Sequence, residues 1–217
     1  MIEIKNVSLG YEDEIILKDI NLKILNNEII GLYGENGCGK TTFSKYLVGL
    51  KKANGGELLI DDEIITKIDP RIQLIMQQPE SSFDPTQKLI NSFRELIKYY
   101  KLCKDKLDME KLIDEVCKKV EINKDILFHY PYQISGGEAE RIALARALLI
   151  KPKLIILDES TSMLDDLSES LIIDLIKKLK KEENISFIFI LHDLKILKKT
   201  SDKIYEIKNK QLILKED

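Results

Sequence analysis

The eight residues Gly34-Glu-Asn-Gly-Cys-Gly-Lys-Thr41 constrain this 217-residue chain more than any other segment. They follow a short apolar run, Glu28 to Tyr33, and precede a helical pattern from Thr41 to Leu50. Glycines in such a strand-to-helix turn let backbone amides converge on phosphate groups, and the helix N-terminus adds positive potential. Lys40 is placed to reach the β- and γ-phosphates of a nucleotide, and the Thr41 hydroxyl is placed to bind Mg²⁺. The alternative, a glycine-rich turn with an incidental lysine, is disfavoured by the flanking strand and helix.

A second segment, Leu154-Ile-Ile-Leu-Asp158-Glu159, supplies carboxylates. Its uninterrupted apolar run predicts a strand buried on both faces. Asp158, at the end of that strand, is suited to the coordination shell of magnesium, and Glu159 is suited to accept a proton from an attacking water. Seen alone, the two carboxylates could instead cap the following helix, but the phosphate-binding loop makes the chemical interpretation the stronger one.

Composition excludes several classes of protein. The net charge of −3 gives no general attraction to nucleic acid. Cys38, Cys103 and Cys117 are widely spaced and form neither a zinc motif nor a disulfide framework, which fits a reducing cytosol. The N-terminus lacks the apolar core of a signal peptide, and no stretch approaches the roughly 20 apolar residues that span a bilayer. A membrane function would therefore need a partner that supplies the membrane part.

The pattern along the chain changes twice. Alternating residues predict strands at Ile2 to Val7 and Leu17 to Leu25, whereas helical spacing dominates from about 80 to 145. Strands return at 154–157 and 187–191, with a helix from about 166 to 182 between them. The end of the chain, 203–214, predicts a hairpin that turns at Asn209-Lys210.

The segment Ile134-Ser135-Gly136-Gly137-Glu138 is followed by Arg141-Ile-Ala-Leu-Ala-Arg-Ala147. Ser135 and Glu138 have the spacing of a capping box at a helix start. A capped helix N-terminus with two glycines is also a site for an anion, so both interpretations hold together. This segment, here called the signature segment (residues 134–138), resembles the signature of ATP-binding cassettes, the motor subunits of ATP-binding cassette transporters.

The resemblance extends along nearly the whole chain and implies a fold. It is an α/β P-loop NTPase core, a mixed and largely parallel sheet with flanking helices, joined by an N-terminal antiparallel β subdomain and an inserted α-helical subdomain. The chain 1–217 would form one ATPase domain. Residues 1–79 and 146–217 would form the nucleotide-binding core with its β subdomain, and 80–145 the helical subdomain with the signature segment.

The resemblance also implies roles for residues. Tyr11 is similar to the aromatic residue that stacks on adenine, Gln77 to the glutamine that touches magnesium and the attacking water, and His192 to the histidine that contacts the γ-phosphate. The loop Ser162-Met-Leu-Asp165 is similar to the one that crosses the dimer interface. His129 matches nothing and is expected to be structural.

Three sets of residues follow for ATP and Mg²⁺. The catalytic set is Lys40, Gln77, Glu159 and His192. The magnesium set is Thr41, Gln77 and Asp158. The nucleotide-binding set is Tyr11, Gly34, Asn36, Gly37, Cys38, Gly39, Lys40, Thr41, Thr42, Ser135, Gly136, Gly137, Glu138 and Asp165. In the family each ATP lies between the phosphate-binding loop of one cassette and the signature segment of another, so we expect a head-to-tail homodimer or heterodimer.

The stretch Gln77-Gln-Pro-Glu-Ser-Ser-Phe-Asp-Pro85 resembles a segment of the importers for peptides and nickel. That branch implies permease partners, a second cassette and, indirectly, an extracellular substrate-binding protein. Nickel, a metal chelate and a short peptide are the expected cargoes, in that order. The chain would be cytoplasmic and peripheral on the inner face of the cell membrane.

Three departures from the family pattern carry expectations of their own. Cys38 replaces a small residue and is either a passive substitute or, at a helix N-terminus, a thiol of lowered pKa. Glu138 replaces the commoner glutamine and is expected to turn toward the helix backbone, because phosphate would repel it. Ser160 replaces a proline and is expected to affect only local backbone stiffness.

Three other functions remain open at this point. A cassette ATPase that acts on DNA or ribosomes would usually carry two cassettes or a long coiled-coil insertion, and neither is present. A regulatory subunit that binds ATP without hydrolysis is disfavoured by Asp158, Glu159 and His192. A small-molecule kinase would share the phosphate-binding loop but would leave the signature segment unexplained. No nucleic-acid partner is expected.

Overall fold

The computed structural model describes residues 1–11, 14–159 and 165–215. The strands in chain order are β1 (Ile2–Tyr11), β2 (Glu14–Ile24), β3 (Ile29–Gly34), β4 (Gly55–Ile60), β5 (Glu63–Ile64), β6 (Ile72–Ile75), β7 (Leu154–Asp158), β8 (Ser186–Ile190), β9 (Lys203–Lys208) and β10 (Gln211–Lys215). The α-helices are α1 (Lys40–Leu47), α2 (Leu89–Tyr99), α3 (Lys106–Lys119), α4 (Gly136–Leu148), α5 (Asp166–Glu183) and α6 (Leu194–Thr200). Short 3-10 helices span Pro79–Ser82, Lys124–Phe128 and Pro131–Gln133.

The chain forms two compact units. The first consists of Met1–Leu74, Lys153–Glu159 and Lys180–Asp217, and the second of Ile75–Pro152 and Ser160–Leu179. The boundaries expected from the sequence, at 80 and 145, differ from this division. The boundary at 145 falls within α4, whereas the second unit continues past the end of α4 to Pro152.

The larger sheet of the first unit has the strand order β10-β9-β3-β8-β7-β6. Strands β9, β3, β8 and β7 pair in parallel, and β10 pairs with β9 as an antiparallel hairpin. The apolar runs of β7 and β8 are buried along their whole length, as expected for parallel strands covered on both faces. The mixed, largely parallel sheet predicted from the sequence is confirmed.

The carboxyl ends of three parallel strands define one edge of this sheet. Asp158 at the end of β7 pairs with Ile190 at the end of β8, and Leu32 of β3 pairs with the same Ile190. Ligands of open parallel sheets bind at this edge because the loops that follow the strands meet there. The phosphate-binding loop, Glu159 and His192 all follow directly from these strand ends.

The smaller sheet of the first unit is antiparallel, with the order β2-β1-β4-β5. Strand β1 continues past the predicted end at Val7 to Tyr11, and register shifts follow Ile4 and Val7 in its pairing with β2. Asn6 has a φ of 51°, which breaks the alternation from which a strand is recognised. The predicted antiparallel β subdomain is confirmed, with a longer first strand.

Helix α1 packs within the apolar core of the first unit. Phe43 and Leu47 are buried together with Ile4, Leu32 and Ile156, which come from both sheets. Because α1 begins at the phosphate-binding loop, this packing fixes the direction of its N-terminus.

The second unit is helical, and between 80 and 145 the structure has no strand, as predicted. Its core contains Phe93, Ile113, Leu127 and Ile142, each fully buried. Helix α4 starts with the predicted capping box, in which Ser135 and Glu138 each bond the other's backbone N–H. No helix in the described ranges has the length and hydropathy that would take it across a membrane.

Candidate nucleotide-binding site

The phosphate-binding loop connects β3 to α1. Gly39, with a φ of 113°, stands at the start of α1 in a left-handed conformation that disfavours any side chain. The first turn of α1 carries no acidic residue, and no described side chain caps its N-terminus. The first amides of a helix lack intrahelical partners, so this N-terminus is suited to an anion such as phosphate.

Glycine is required at position 34, the first residue of the loop, because neighbouring atoms fill the space that a side chain would need. A Cβ at this position would lie 2.6 Å from Cys38 Sγ and 3.0 Å from the carbonyl oxygen of Ile207. The Cys38 thiol is half-buried, and burial raises its pKa even though the charge of Lys40 opposes the shift. The lowered thiol pKa considered from the sequence is therefore wrong, because burial outweighs the helix N-terminus and Lys40.

Lys40 is buried, and its side chain bonds to the backbone of the phosphate-binding loop. Its Nζ donates hydrogen bonds to the carbonyl oxygens of Gly34 at 2.8 Å and Glu35 at 3.1 Å. The same atom lies 3.8 Å from Oε1 of Glu159. The ammonium group is thus bonded to the loop backbone and lies near Glu159, the residue that follows β7.

Glu159 and His192 form a close pair. His192 Nε2 lies 2.6 Å from Glu159 Oε1, and the backbone N–H of Glu159 donates to the carbonyl of Ile190 at 3.0 Å. Glu159 has a φ of 55°, in the left-handed region that costs a non-glycine residue energy. The structure therefore brings together Lys40, Glu159 and His192, three of the four residues predicted to be catalytic.

Asp158 is almost fully buried beside α1. Burial raises the pKa of its carboxyl group, while hydrogen bonds from the hydroxyls of Ser44 and Thr41 oppose the shift. Ser44, also fully buried, was not predicted from the sequence. Its position three residues after Thr41, on the same side of α1, is the signal that could have revealed it.

Thr41 and Asp158 together fit a magnesium ion that is shared with a nucleotide. Both offer hard oxygen atoms, and Mg²⁺ is usually held by one or two carboxylates plus phosphates and water rather than by an all-protein cage. The described part of the chain contains no group of three or more His, Cys, Asp and Glu side chains that could hold a metal.

Tyr11 lies at the end of β1, and about half of its side chain is exposed. Lys51 Nζ sits 3.7 Å from the centroid of its ring, in a cation–π contact. One face of the ring predicted to stack on adenine is therefore covered by an ammonium group. Of the remaining predicted loop residues, Asn36 and Gly37 are exposed and Thr42 is buried.

The signature segment lies in the second unit. Oε2 of Glu138 accepts from the backbone N–H and from the hydroxyl of Ser135, both at 2.8 Å. The expectation that Glu138 turns toward the helix backbone is confirmed. Gly137 lies close to the start of α5, since a Cβ there would be 3.9 Å from the Ser168 side chain.

The other two predicted residues of this unit are exposed. The Asp165 carboxylate accepts from the backbone N–H and hydroxyl of Ser168, and the backbone bond lowers its pKa most. Gln77 follows β6 and is exposed. Ser160 and the loop residues Ser162, Met163 and Leu164 lie outside the described residues.

A parallel sheet with a glycine-rich loop, a buried lysine and two carboxylates at its carboxyl edge defines a nucleoside-triphosphate-binding protein of the P-loop class. The family model described as "ABC transporter" matches residues 17–162. The chain therefore belongs to the ABC transporter family, as an ATP-hydrolysing subunit.

Two curated relatives indicate which branch of the family the chain resembles. It is 34% identical over 217 residues to the oligopeptide transport ATP-binding protein OppF of Streptococcus mutans, covering 94% of this chain and 70% of OppF. It is 33% identical over 214 residues to the nickel import system ATP-binding protein NikE of Staphylococcus aureus, covering 98% and 89%. The predicted resemblance to the peptide and nickel importers is confirmed, and the comparisons give no support to a DNA- or ribosome-associated cassette.

Solved structures agree with the fold. The cassette MJ0796, solved as a dimer in a post-hydrolysis state with ADP and Pi, is 30% identical, with a TM-score of 0.83 and coverage of 98% of this chain and 96% of that one. The protein cbiO1 of Clostridium perfringens, part of the transporter complex cbiONQ, is 25% identical with a TM-score of 0.87, covering 98% and 86%.

Proposed function

We propose that this ATPase subunit energises an importer of nickel, a metal chelate or a short peptide through partner permeases. The observation that carries the chemistry is the position of Glu159 Oε1, which lies 2.6 Å from His192 Nε2 and 3.8 Å from Lys40 Nζ. A carboxylate that is held by two nitrogen groups at the edge of a phosphate-binding loop is placed to act on a water near the γ-phosphate.

Each residue has a separate task in this proposal. Lys40 and the amides of the loop bind the phosphates, Glu159 accepts the proton of the attacking water, and His192 orients Glu159 and contacts the γ-phosphate. Thr41 and Asp158 would hold Mg²⁺, with Gln77 as the further ligand that the family resemblance implies, and the ion would neutralise phosphate charge. Tyr11 stacks on adenine after Lys51 has left one face of its ring.

The second half of each ATP site comes from another cassette. Ser135, Gly136 and Gly137 start α4, whose N-terminus would bind the γ-phosphate held by a partner's loop, and Asp165 would lie at the same interface. The dimeric MJ0796 structures support a paired arrangement. The partner is a second copy of this chain or a related cassette.

The cargo is proposed from the relatives. The match to NikE covers more of that protein than the match to OppF, which favours nickel over a metal chelate and a peptide. The proposed partners are permeases, with an extracellular substrate-binding protein acting indirectly, and the proposed location is the inner face of the cell membrane. Cells without the gene should lose uptake of radiolabelled nickel and keep uptake of a labelled dipeptide; the reverse result would assign a peptide importer.

Phosphate release tests the chemistry. With Mg²⁺ and ATP, Glu159→Gln should lower turnover by roughly 10²-fold or more and leave ATP binding intact, since the variant loses only a proton acceptor. The exposed Glu95→Gln is the matched control and should turn over as the wild type does. Full activity of Glu159→Gln would remove Glu159 from the mechanism.

A further inference from the structure

Arg146, near the end of α4, holds the 3-10 helix Pro79–Ser82, here called the Pro79 turn. Its guanidinium donates to the carbonyl oxygen of Ser82 at 3.1 Å and to the Ser82 hydroxyl at 2.7 Å. The Arg146 Cζ atom also lies 4.2 Å from the centroid of the buried Phe83 ring. Two hydrogen bonds and a cation–π contact therefore fasten one side of the turn to the helix.

The Pro79 turn is itself closed by short bonds. The Ser82 hydroxyl donates to the carbonyl oxygen of Pro79 at 2.7 Å, and the Ser81 hydroxyl donates to that of Gln78 at 2.7 Å. The backbone N–H of Ser81 reaches the same Gln78 oxygen at 3.0 Å. Gln77 lies next to Gln78, whose carbonyl oxygen accepts these bonds, so the position of the Gln77 backbone depends on where the turn is held.

Helix α4 connects the Arg146–Ser82 contact to the signature segment. It runs without interruption from Gly136 to Leu148, with the Ser135–Glu138 capping box at its start and Arg146 in its last turn. An α-helix with satisfied ends moves as a rigid element. The two motifs are thus linked within the second unit by one helix and one guanidinium group.

We propose that Arg146 is a positioning residue that couples the segment carrying Gln77 to the helix carrying Ser135. The inference rests on the proposed function, because it assigns consequences to Gln77 and Ser135. Arginine is needed at this position because its planar group donates two parallel bonds and stacks on a ring at the same time, whereas a lysine ammonium offers neither the fork nor the flat face.

The first test needs no nucleotide. Hydrogen exchange of the backbone amides of Ser81 and Phe83 should become faster in Arg146→Lys, because the turn loses its fastening. Arg141→Lys is the matched control, since Arg141 lies on the same helix but donates to the carbonyl oxygen of Val120 at 2.8 Å. Unchanged exchange in Arg146→Lys, or equal acceleration in both variants, would overturn the proposal.

The second test is a double-mutant cycle with ATP turnover. Arg146→Lys should lower kcat by about tenfold, the loss expected from one charge-assisted hydrogen bond, with little change in KM. Arg141→Lys should stay within about twofold of wild type. In a Gln77→Ala background Arg146→Lys should have little further effect, whereas a merely structural role would make the two losses additive, and additive losses would overturn the proposal.

Ser82→Ala provides a second variant if Arg146→Lys folds poorly. It keeps Arg146 and the carbonyl acceptor and removes both bonds of the Ser82 hydroxyl, the one from Arg146 and the one to the carbonyl oxygen of Pro79, each 2.7 Å long. A smaller loss of kcat in the same direction is expected, because the bond from Arg146 to the Ser82 carbonyl remains. A Ser82→Ala chain with faster exchange and unchanged kcat would overturn the coupling. A wild-type chain without any ATP hydrolysis would instead contradict the proposed function, and the exchange experiment would still decide the role of Arg146.

Discussion

The Nε2 atom of His192 lies 2.6 Å from Oε1 of Glu159, and Lys40 Nζ lies 3.8 Å from that same oxygen. One carboxylate oxygen thus faces two nitrogen groups, one from the first residue of α1 and one from the loop after β8. A γ-phosphate that draws Lys40 toward itself would leave Glu159 in contact with His192. This relationship makes His192 the residue whose removal tests the orientation of Glu159.

Replacing His192 by alanine should lower kcat by roughly 10²-fold, because the proton acceptor loses its orienting partner. ATP binding should change much less, since Lys40 and the loop amides are untouched. Steady-state phosphate release and equilibrium binding of a labelled nucleotide measure the two quantities. His129→Ala is the control, because His129 is exposed and lies in the second unit; equal losses in both variants would remove His192 from the mechanism.

Neutralising Asp158 should separate metal binding from stability. Burial raises the pKa of Asp158, so its charged form is costly in the folded chain, and Asn keeps an acceptor for Ser44 and Thr41. Without nucleotide the melting temperature of Asp158→Asn should therefore equal or exceed that of the wild type. At ~100 times the Kd, Mg-ATP should add about 2.7 kcal/mol to the wild type, and this increment should be lost in the variant.

Thermal melting with ATP in the presence of Mg²⁺ or EDTA provides the measurement. The exposed Asp174→Asn should keep the full increment from Mg-ATP. An Asp158→Asn chain that is stabilised by Mg-ATP as strongly as the wild type would show that this carboxylate does not hold the ion.

Substitutions at Ser135 should separate its structural role from its proposed role at the partner's phosphate. Ser135→Ala removes a helix cap and should cost about 1 kcal/mol of unfolding free energy. Ser135→Asp keeps an acceptor for the helix start but places its carboxylate beside that of Glu138, so it should lose stability to a similar extent. Its charge would also repel the γ-phosphate, so with Ser135→Asp, and not with Ser135→Ala, ATP should no longer drive dimer formation in a Glu159→Gln background. Denaturant unfolding and light scattering measure the two effects.

The control for Ser135 is Asp105, which caps α3 by accepting from the backbone N–H of Asp108 at 2.9 Å. Asp105→Ala should lose a similar amount of stability and keep the ATP-driven dimer. A Ser135→Asp chain that dimerises with ATP as the wild type does would leave Ser135 with the capping role alone.

The thiols should react in an order set by burial. Burial raises the pKa of Cys38 above its ordinary value of 9.0 and that of Cys117 to about 11, so less thiolate is present at pH 8. Alkylation by iodoacetamide should be slower for native Cys38 than for Cys38 in the urea-unfolded chain, and slowest for native Cys117. The alkylation rate of native Cys38 should still be rising at pH 9, whereas a rate that levels off near pH 7 would indicate an activated Cys38.

Several elements were predictable because their signals are local. Asn209 and Lys210 have φ values of 52° and 64°, the left-handed conformation that a two-residue hairpin turn requires at both central positions, and Asn is a favoured residue there. The capping box of α4 follows from the spacing of Ser135 and Glu138. By contrast, α1 ends at Leu47 rather than at the predicted Leu50, because Gly49 adopts a φ of 77° and closes the helix.

The contacts that complete the site depend on distant parts of the chain. Ser44 meets Asp158 only because α1 packs beside β7, and Lys51 covers Tyr11 only after β1 and the end of α1 come together. The raised pKa of Cys38 likewise depends on burial in the folded loop rather than on sequence position. Periodicity identifies each element, but it carries no information about which side chains meet between them.

The hydrogen bonds from Lys40 to the carbonyl oxygens of Gly34 and Glu35 have a consequence for genetics. A Lys40→Ala allele would remove a positive charge and both hydrogen bonds to the loop backbone at once, so its phenotype would not reveal which loss mattered. A Glu159→Gln allele leaves both of those bonds in place. It is therefore the cleaner loss-of-function allele, and a cell that tolerates one but not the other would report on the loop itself.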